Sequence, residues 1–211
     1  MKTSELISLL ASDPLPPKLP QAAWCLAVGA ALVLTLSLVI GVWGLHPDLP
    51  GLLRSASFHF KSLWLLALAL SSGAWLWRIA RPAQPDGLGL HGFGLAWLAM
   101  ALAGASTLWQ AHADQRWPLV MGTSWWACPL SIALLGLPWL AVWLMYLRHM
   151  APTRLALSGA SAGLLSGVLA TGLYSLHCSE TSYAFFSVWY AAGIVLSGLI
   201  GALLGPRWLR W

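Results

Sequence analysis

Six long apolar runs, separated by short polar intervals, dominate the chain. They lie at about 21–45, 58–80, 90–109, 128–147, 155–176 and 183–204. Each is close to the ~20 residues an α-helix needs to cross a bilayer. The apolar residues come in blocks rather than on one face of otherwise polar helices. The pattern therefore predicts an all-α integral membrane protein, a bundle of six transmembrane helices over residues 21–211 preceded by a short segment, 1–20.

Punctuation agrees with these blocks. The first run stops at Gly44-Leu45-His46-Pro47-Asp48-Leu49-Pro50, the second at Arg78, Arg81 and Pro82, and the sixth at Gly205-Pro206-Arg207. Pro129 is tolerated in the first turn of the fourth run, whereas Pro138 predicts a kink there. Residues 1–20 hold Pro14, Pro16, Pro17 and Pro20 and no apolar core of a signal peptide, so the first run is expected to anchor the chain uncleaved. Before the prolines, Leu6, Ile7, Leu9 and Leu10 fall on one side of a short amphipathic helix. Such a helix either docks into a partner groove or lies on lipid.

Composition supports the membrane reading. Of 211 residues, 59% are hydrophobic and 8% charged, against about 25% charged in a soluble domain. The net charge of +5 reads as topology information rather than as a nucleic-acid footprint. With the N-terminus inside, inner segments hold Lys2, Lys18, Arg78, Arg81, Arg148, Arg154, Arg207 and Arg210; outer segments hold Arg54, Lys61 and Arg116. This positive-inside bias predicts that both termini lie on the cytoplasmic side of the membrane. Lys61, in the first turn of the second run, is expected to extend its ammonium to the headgroups.

The fifth and sixth runs carry small residues at four-residue spacing: Gly159, Gly163 and Gly167, then Gly193, Ser197, Gly201 and Gly205. Such stripes let helix backbones approach closely, and they predict a tight hairpin.

Little conventional chemistry is visible. No Asp or Glu lies deep in a run, which argues against an ion-coupled transporter. No phosphate loop, dinucleotide fingerprint, zinc-protease motif or nucleophile elbow is present, so no enzymatic role and no cofactor is expected. Cys25 lies one turn inside the first run and reads as a packing residue. Cys128 opens the fourth run, where it is expected to act as helix N-cap and where the helix dipole favours a negative sulfur. Cys178 lies in the interval Tyr174-Ser-Leu-His177-Cys178-Ser179-Glu180. Both belong to the outer side. His177 stands ready to assist Cys178 as a base or as a further metal ligand. Three readings follow: a static disulfide, a redox- or metal-responsive pair binding metal transiently, or two unrelated buried cysteines.

These residues carry a resemblance. Met1-Lys2-Thr3-Ser4-Glu5-Leu6-Ile7, Gly44-Leu45-His46-Pro47-Asp48-Leu49, Lys61, Arg81-Pro82, Cys128-Pro129, Leu147-Arg148-His149-Met150-Ala151-Pro152-Thr153, the Tyr174–Glu180 interval, Trp189-Tyr190 and Gly205–Trp211 resemble, in order and spacing, the NrsF-type anti-sigma factors. The resemblance implies a six-helix inner-membrane protein that holds an extracytoplasmic-function (ECF) sigma factor inactive. It further implies that transition-metal or oxidative stress is read through Cys128 and Cys178. The sigma-binding surface is then expected on residues 1–20, with Leu6, Ile7, Leu9 and Leu10, and on the inner loops, with Arg78, Arg81 and Arg148. The rivals are a membrane thiol oxidoreductase, which would want a Cys-x-x-Cys, and a small metal permease.

Overall fold

The computed structural model describes residues 20–81 and 87–210. Leu6, Ile7, Leu9 and Leu10 lie outside the described residues. Among the described residues, eight helices follow in chain order: α1 (Gln21–Leu38, continued by a π-helical turn, Val39–Trp43), α2 (Leu49–Arg54), α3 (Ala56–Ile79), α4 (Gly87–Gln110), α5 (Ala113–Met121), α6 (Ala127–Met150), α7 (Leu155–Tyr174) and α8 (Tyr183–Trp208, with a π-helical turn at Phe186–Tyr190). Six of them, α1, α3, α4, α6, α7 and α8, are long and apolar enough to cross a membrane. They coincide with the six apolar runs.

The two short helices lie in intervals that the hydropathy pattern leaves as connections. Asp48 caps α2 by accepting from the Gly51 N–H (3.0 Å), and Pro50 sits in its first turn, where its missing donor costs nothing. α5 ends at Gly122, whose φ of +56° suits glycine. Pro138 lies inside α6, which is helical without interruption from Ala127 to Met150.

α6, α7 and α8 form the centre. α7 and α8 meet along the glycine stripes: a Cβ added at Gly159 or Gly163 would strike the Gly201 or Ser197 carbonyl oxygen of α8, and one at Gly201 would strike Gly159. Backbone lies on backbone, so the expected tight hairpin is present. α3 packs on α7 and carries α4 beside it, where the Trp64 indole N–H donates to the Ala96 carbonyl (2.9 Å). α1 and α4 are peripheral and present Leu26, Val33, Leu95 and Leu102 outward, as suits lipid-facing positions. Five buried hydroxyls are satisfied inside their own helices: Thr35, Ser72, Ser166, Thr171 and Ser197 each donate to the carbonyl four residues earlier at 2.6–2.9 Å. Apolar surroundings leave a hydroxyl few other partners.

Candidate functional site: a buried thiol cluster

Successive spans alternate in direction, so the 44–55, 111–126 and 175–182 connections gather at one end of the bundle. They interlock there. The His46 N–H donates to the Leu176 carbonyl (3.0 Å), and His177 Nδ1 lies 3.1 Å from the Gly44 carbonyl oxygen. Glu180 Oε1 accepts from both the Thr123 N–H (2.8 Å) and the Thr123 hydroxyl (2.9 Å). The Trp189 indole N–H donates to the Val120 carbonyl (2.9 Å), and its ring stacks at a tilt on Trp125 (5.2 Å). Gly122 is needed at this junction for space as well as for conformation, since a Cβ there would meet Glu180 Oε1 at 2.7 Å and Phe185 at 2.8 Å.

Cys128 and Cys178 lie beneath this cap, fifty residues apart in sequence but in one buried cluster with Tyr174, Phe185, Phe186 and Tyr190. They are 0% and 3% exposed. All three cysteines are free thiols. α6 starts one residue earlier than expected, with Trp126 as N-cap, so Cys128 is the second helical residue and its N–H donates to Ser124 (3.0 Å). Cys178 comes just after the turn 175–177 that ends α7, its N–H donating to the Tyr174 carbonyl (3.2 Å). The α7–α8 seam thus fixes Cys178, while α6 carries Cys128. Cys25 departs from its expectation: it is exposed rather than packed, because α1 is a peripheral helix and turns this position outward.

Lys61 corrects a second expectation. Instead of reaching outward, its side chain is buried (1% exposed). Its Nζ lies over three rings: Phe186 at 4.9 Å, Phe58 at 5.4 Å and Tyr190 at 5.7 Å. The π-helical turn at Phe186–Tyr190 supplies two of the rings, and α3 itself supplies Phe58. Phe186 and Tyr190 lie four apart in the turn and so share one face, which is buried next to an inward Phe185. Ring faces attract a cation, most strongly where water is excluded. Phe186 and Tyr190 belong to the same buried cluster as both cysteines, so the ammonium sits in the environment of the two sulfurs. The Tyr190 hydroxyl is buried in the same cluster, next to Cys178. Lys61 and the rings around it are the site residues that reasoning from sequence missed. The available signal was a charge inside an apolar run, which is costly and commonly functional.

A cavity of about 330 Å³ opens among the capping loops. Cys178, His177, Tyr174, His46, Trp43 and Thr123 are among its walls; Cys128 is not. His177 shares this cavity with Cys178 while its Nδ1 faces Gly44. Among the described residues, no three His, Cys, Asp or Glu side chains gather closely enough to hold a metal ion.

The three arginines expected on a partner surface lie at the far end of the bundle. Arg78 is half-buried in the last turn of α3. Arg81 stacks on Trp77, its guanidinium carbon 3.6 Å from the ring centre, and Arg148 is exposed in the last turn of α6.

No solved structure matches the chain. A curated protein of Azospira oryzae, called a probable anti-sigma-F factor NrsF, is 35% identical over the full length of both chains. One of Caulobacter vibrioides, called anti-sigma-F factor NrsF, is 34% identical, also over both full lengths. The family model described as "Negative regulator of sigma F" matches residues 10–211. With a six-span bundle, a buried thiol pair and full-length likeness to both relatives, the chain belongs to the NrsF family.

Proposed function

We propose that this chain is a membrane-bound anti-sigma factor, a regulator rather than an enzyme. In this reading it sequesters an ECF sigma factor at the cytoplasmic end of the bundle and releases it when Cys128 and Cys178 are modified. The names of the two relatives support the anti-sigma role. The positive-inside bias supports placing the arginine-bearing end in the cytoplasm and the thiols on the outer side of a bacterial inner membrane.

The observation that carries the sensing part is the meeting of two distant cysteines in one buried cluster, one on α6 and the other in the connection between α7 and α8. A bond between the sulfurs would tie α6 to the α7–α8 hairpin. Such a bond is worth about 2–4 kcal/mol, which is the scale on which a two-state bundle changes its affinity for a partner. Oxidation suits the site better than metal binding. The cluster offers two sulfurs and a buried ammonium, and the ammonium repels a divalent cation.

The test is co-purification of the chain with its candidate sigma factor from membranes, before and after a thiol oxidant. The reading expects a complex that dissociates on oxidation and persists in the Cys128→Ser/Cys178→Ser variant. Release that is unchanged in that variant sinks the sensing role, and the absence of any complex sinks the anti-sigma role.

A further inference from the structure

We infer that Cys178 is the attacking thiol of the pair, that Cys128 is the resolving thiol, and that Lys61 is a positioning residue whose buried ammonium stabilises the charge on the Cys178 sulfur. The inference rests on the thiol-sensing reading above and assigns its chemistry to atoms.

Three observations carry it. First, access is unequal: Cys178 lines the cavity that opens among the capping loops, and Cys128 does not. Second, the cation shares the cluster: Lys61 Nζ lies over the Phe186 and Tyr190 rings, which pack in the same buried cluster as both sulfurs. Third, the cage is an expensive construction. An ammonium buried at 1% exposure in a membrane-spanning helix loses its hydration, and such residues persist where they serve a site. A thiol buried among aromatic rings is ordinarily inert, and an adjacent cation is the usual remedy. A fixed charge aimed at the place where negative charge develops needs no rearrangement during the reaction.

The step balances with hydrogen peroxide, a small, uncharged two-electron oxidant. The Cys178 sulfur attacks one peroxide oxygen and the O–O bond breaks. The departing hydroxide takes the thiol proton and leaves as water, and Cys178 becomes a sulfenic acid. The Cys128 sulfur then attacks that sulfur. The S–S bond forms, the S–O bond breaks, and the hydroxyl leaves with the Cys128 proton as a second water. Two thiols are oxidised to one disulfide, and one peroxide is reduced.

Two measurements on the reduced, full-length protein in detergent test this. In the first, Cys178 is alkylated with anionic iodoacetate and with neutral iodoacetamide, and each rate is read by mass spectrometry. A positive site raises the iodoacetate-to-iodoacetamide ratio at least about fivefold above that of a small neutral thiol such as N-acetylcysteine amide. Lys61→Met brings the ratio back to that of the free thiol, an effect that loss of packing alone does not produce. A wild-type ratio equal to the free thiol's overturns the role of Lys61, whether or not the variant folds. In the second, hydrogen peroxide is added with dimedone, which traps sulfenic acids. Cys128→Ser is expected to be labelled at Cys178, and Cys178→Ser to stay unlabelled at Cys128; the reverse pattern overturns the assignment. Neither readout involves the sigma factor. Loss of oxidant-dependent release with both results intact therefore counts against the anti-sigma reading alone.

Discussion

Replacing Gly163 by alanine tests whether the α7–α8 seam holds the thiol end in register. The added methyl would be directed at the Ser197 carbonyl oxygen and would lie 2.9 Å from the Gly198 Cα. Both are backbone atoms, so no side chain can rotate away and the two helices must part. Inserting one carbon into such packing costs about 1–3 kcal/mol. Gly172 lies on the same helix and has nothing within 4 Å of its added Cβ, which makes Gly172→Ala the control. Both variants share the gain of about 1 kcal/mol from replacing glycine in a helix, so their difference isolates the clash. Gly163→Ala is expected to unfold about 2 kcal/mol more easily than Gly172→Ala in denaturing-detergent titrations. Because the Cys178 N–H bonds the last residue of α7, Tyr174, its reaction with a maleimide should also quicken in Gly163→Ala and not in Gly172→Ala. Equal stability of the two variants, to within about 0.5 kcal/mol, would refute the view that backbone contact at this seam sets the hairpin.

Other outcomes follow from the cap and the cluster. Glu180→Ala removes both hydrogen bonds to Thr123, and Cys178 alkylation should rise severalfold with a small change in overall stability, since each bond is worth about 1 kcal/mol. Thr123→Val keeps the backbone donor and should give a smaller rise; an effect larger than that of Glu180→Ala would count against the latch. Gly122→Ala meets Glu180 and Phe185 in a backbone conformation that favours glycine and should cost about 1–3 kcal/mol, read as a lowered unfolding midpoint. In native protein in detergent, Cys25 should be alkylated well before Cys128, in line with their exposed and buried positions; comparable rates in folded protein would contradict the burial of Cys128.

Much of this architecture is legible in the sequence because its causes are local. An apolar block of about 20 residues has few stable alternatives to a spanning helix, so six helices and their approximate ends follow from hydropathy and from glycine and proline. The spacing of Gly159, Gly163, Gly201 and Gly205 is local too, and it announced the hairpin. α2 and α5 were passed over because their signals, an Asp48 cap and a Gly122 stop, sit in polar intervals too short for a periodic pattern. The orientation of side chains around the bundle was not legible at all. Cys25 faces outward and Lys61 inward because α1 is peripheral and α3 packs beside the π-helical turn of α8, and neither relation is written within its own helix. By itself, the sequence determined the spans, the glycine seam and the two cysteines worth watching. The tertiary structure alone decided that the two thiols lie in one buried cluster, with Lys61 and its aromatic cage beside them. Those residues come from four separate segments of the chain, and only the packing of whole helices brings them together.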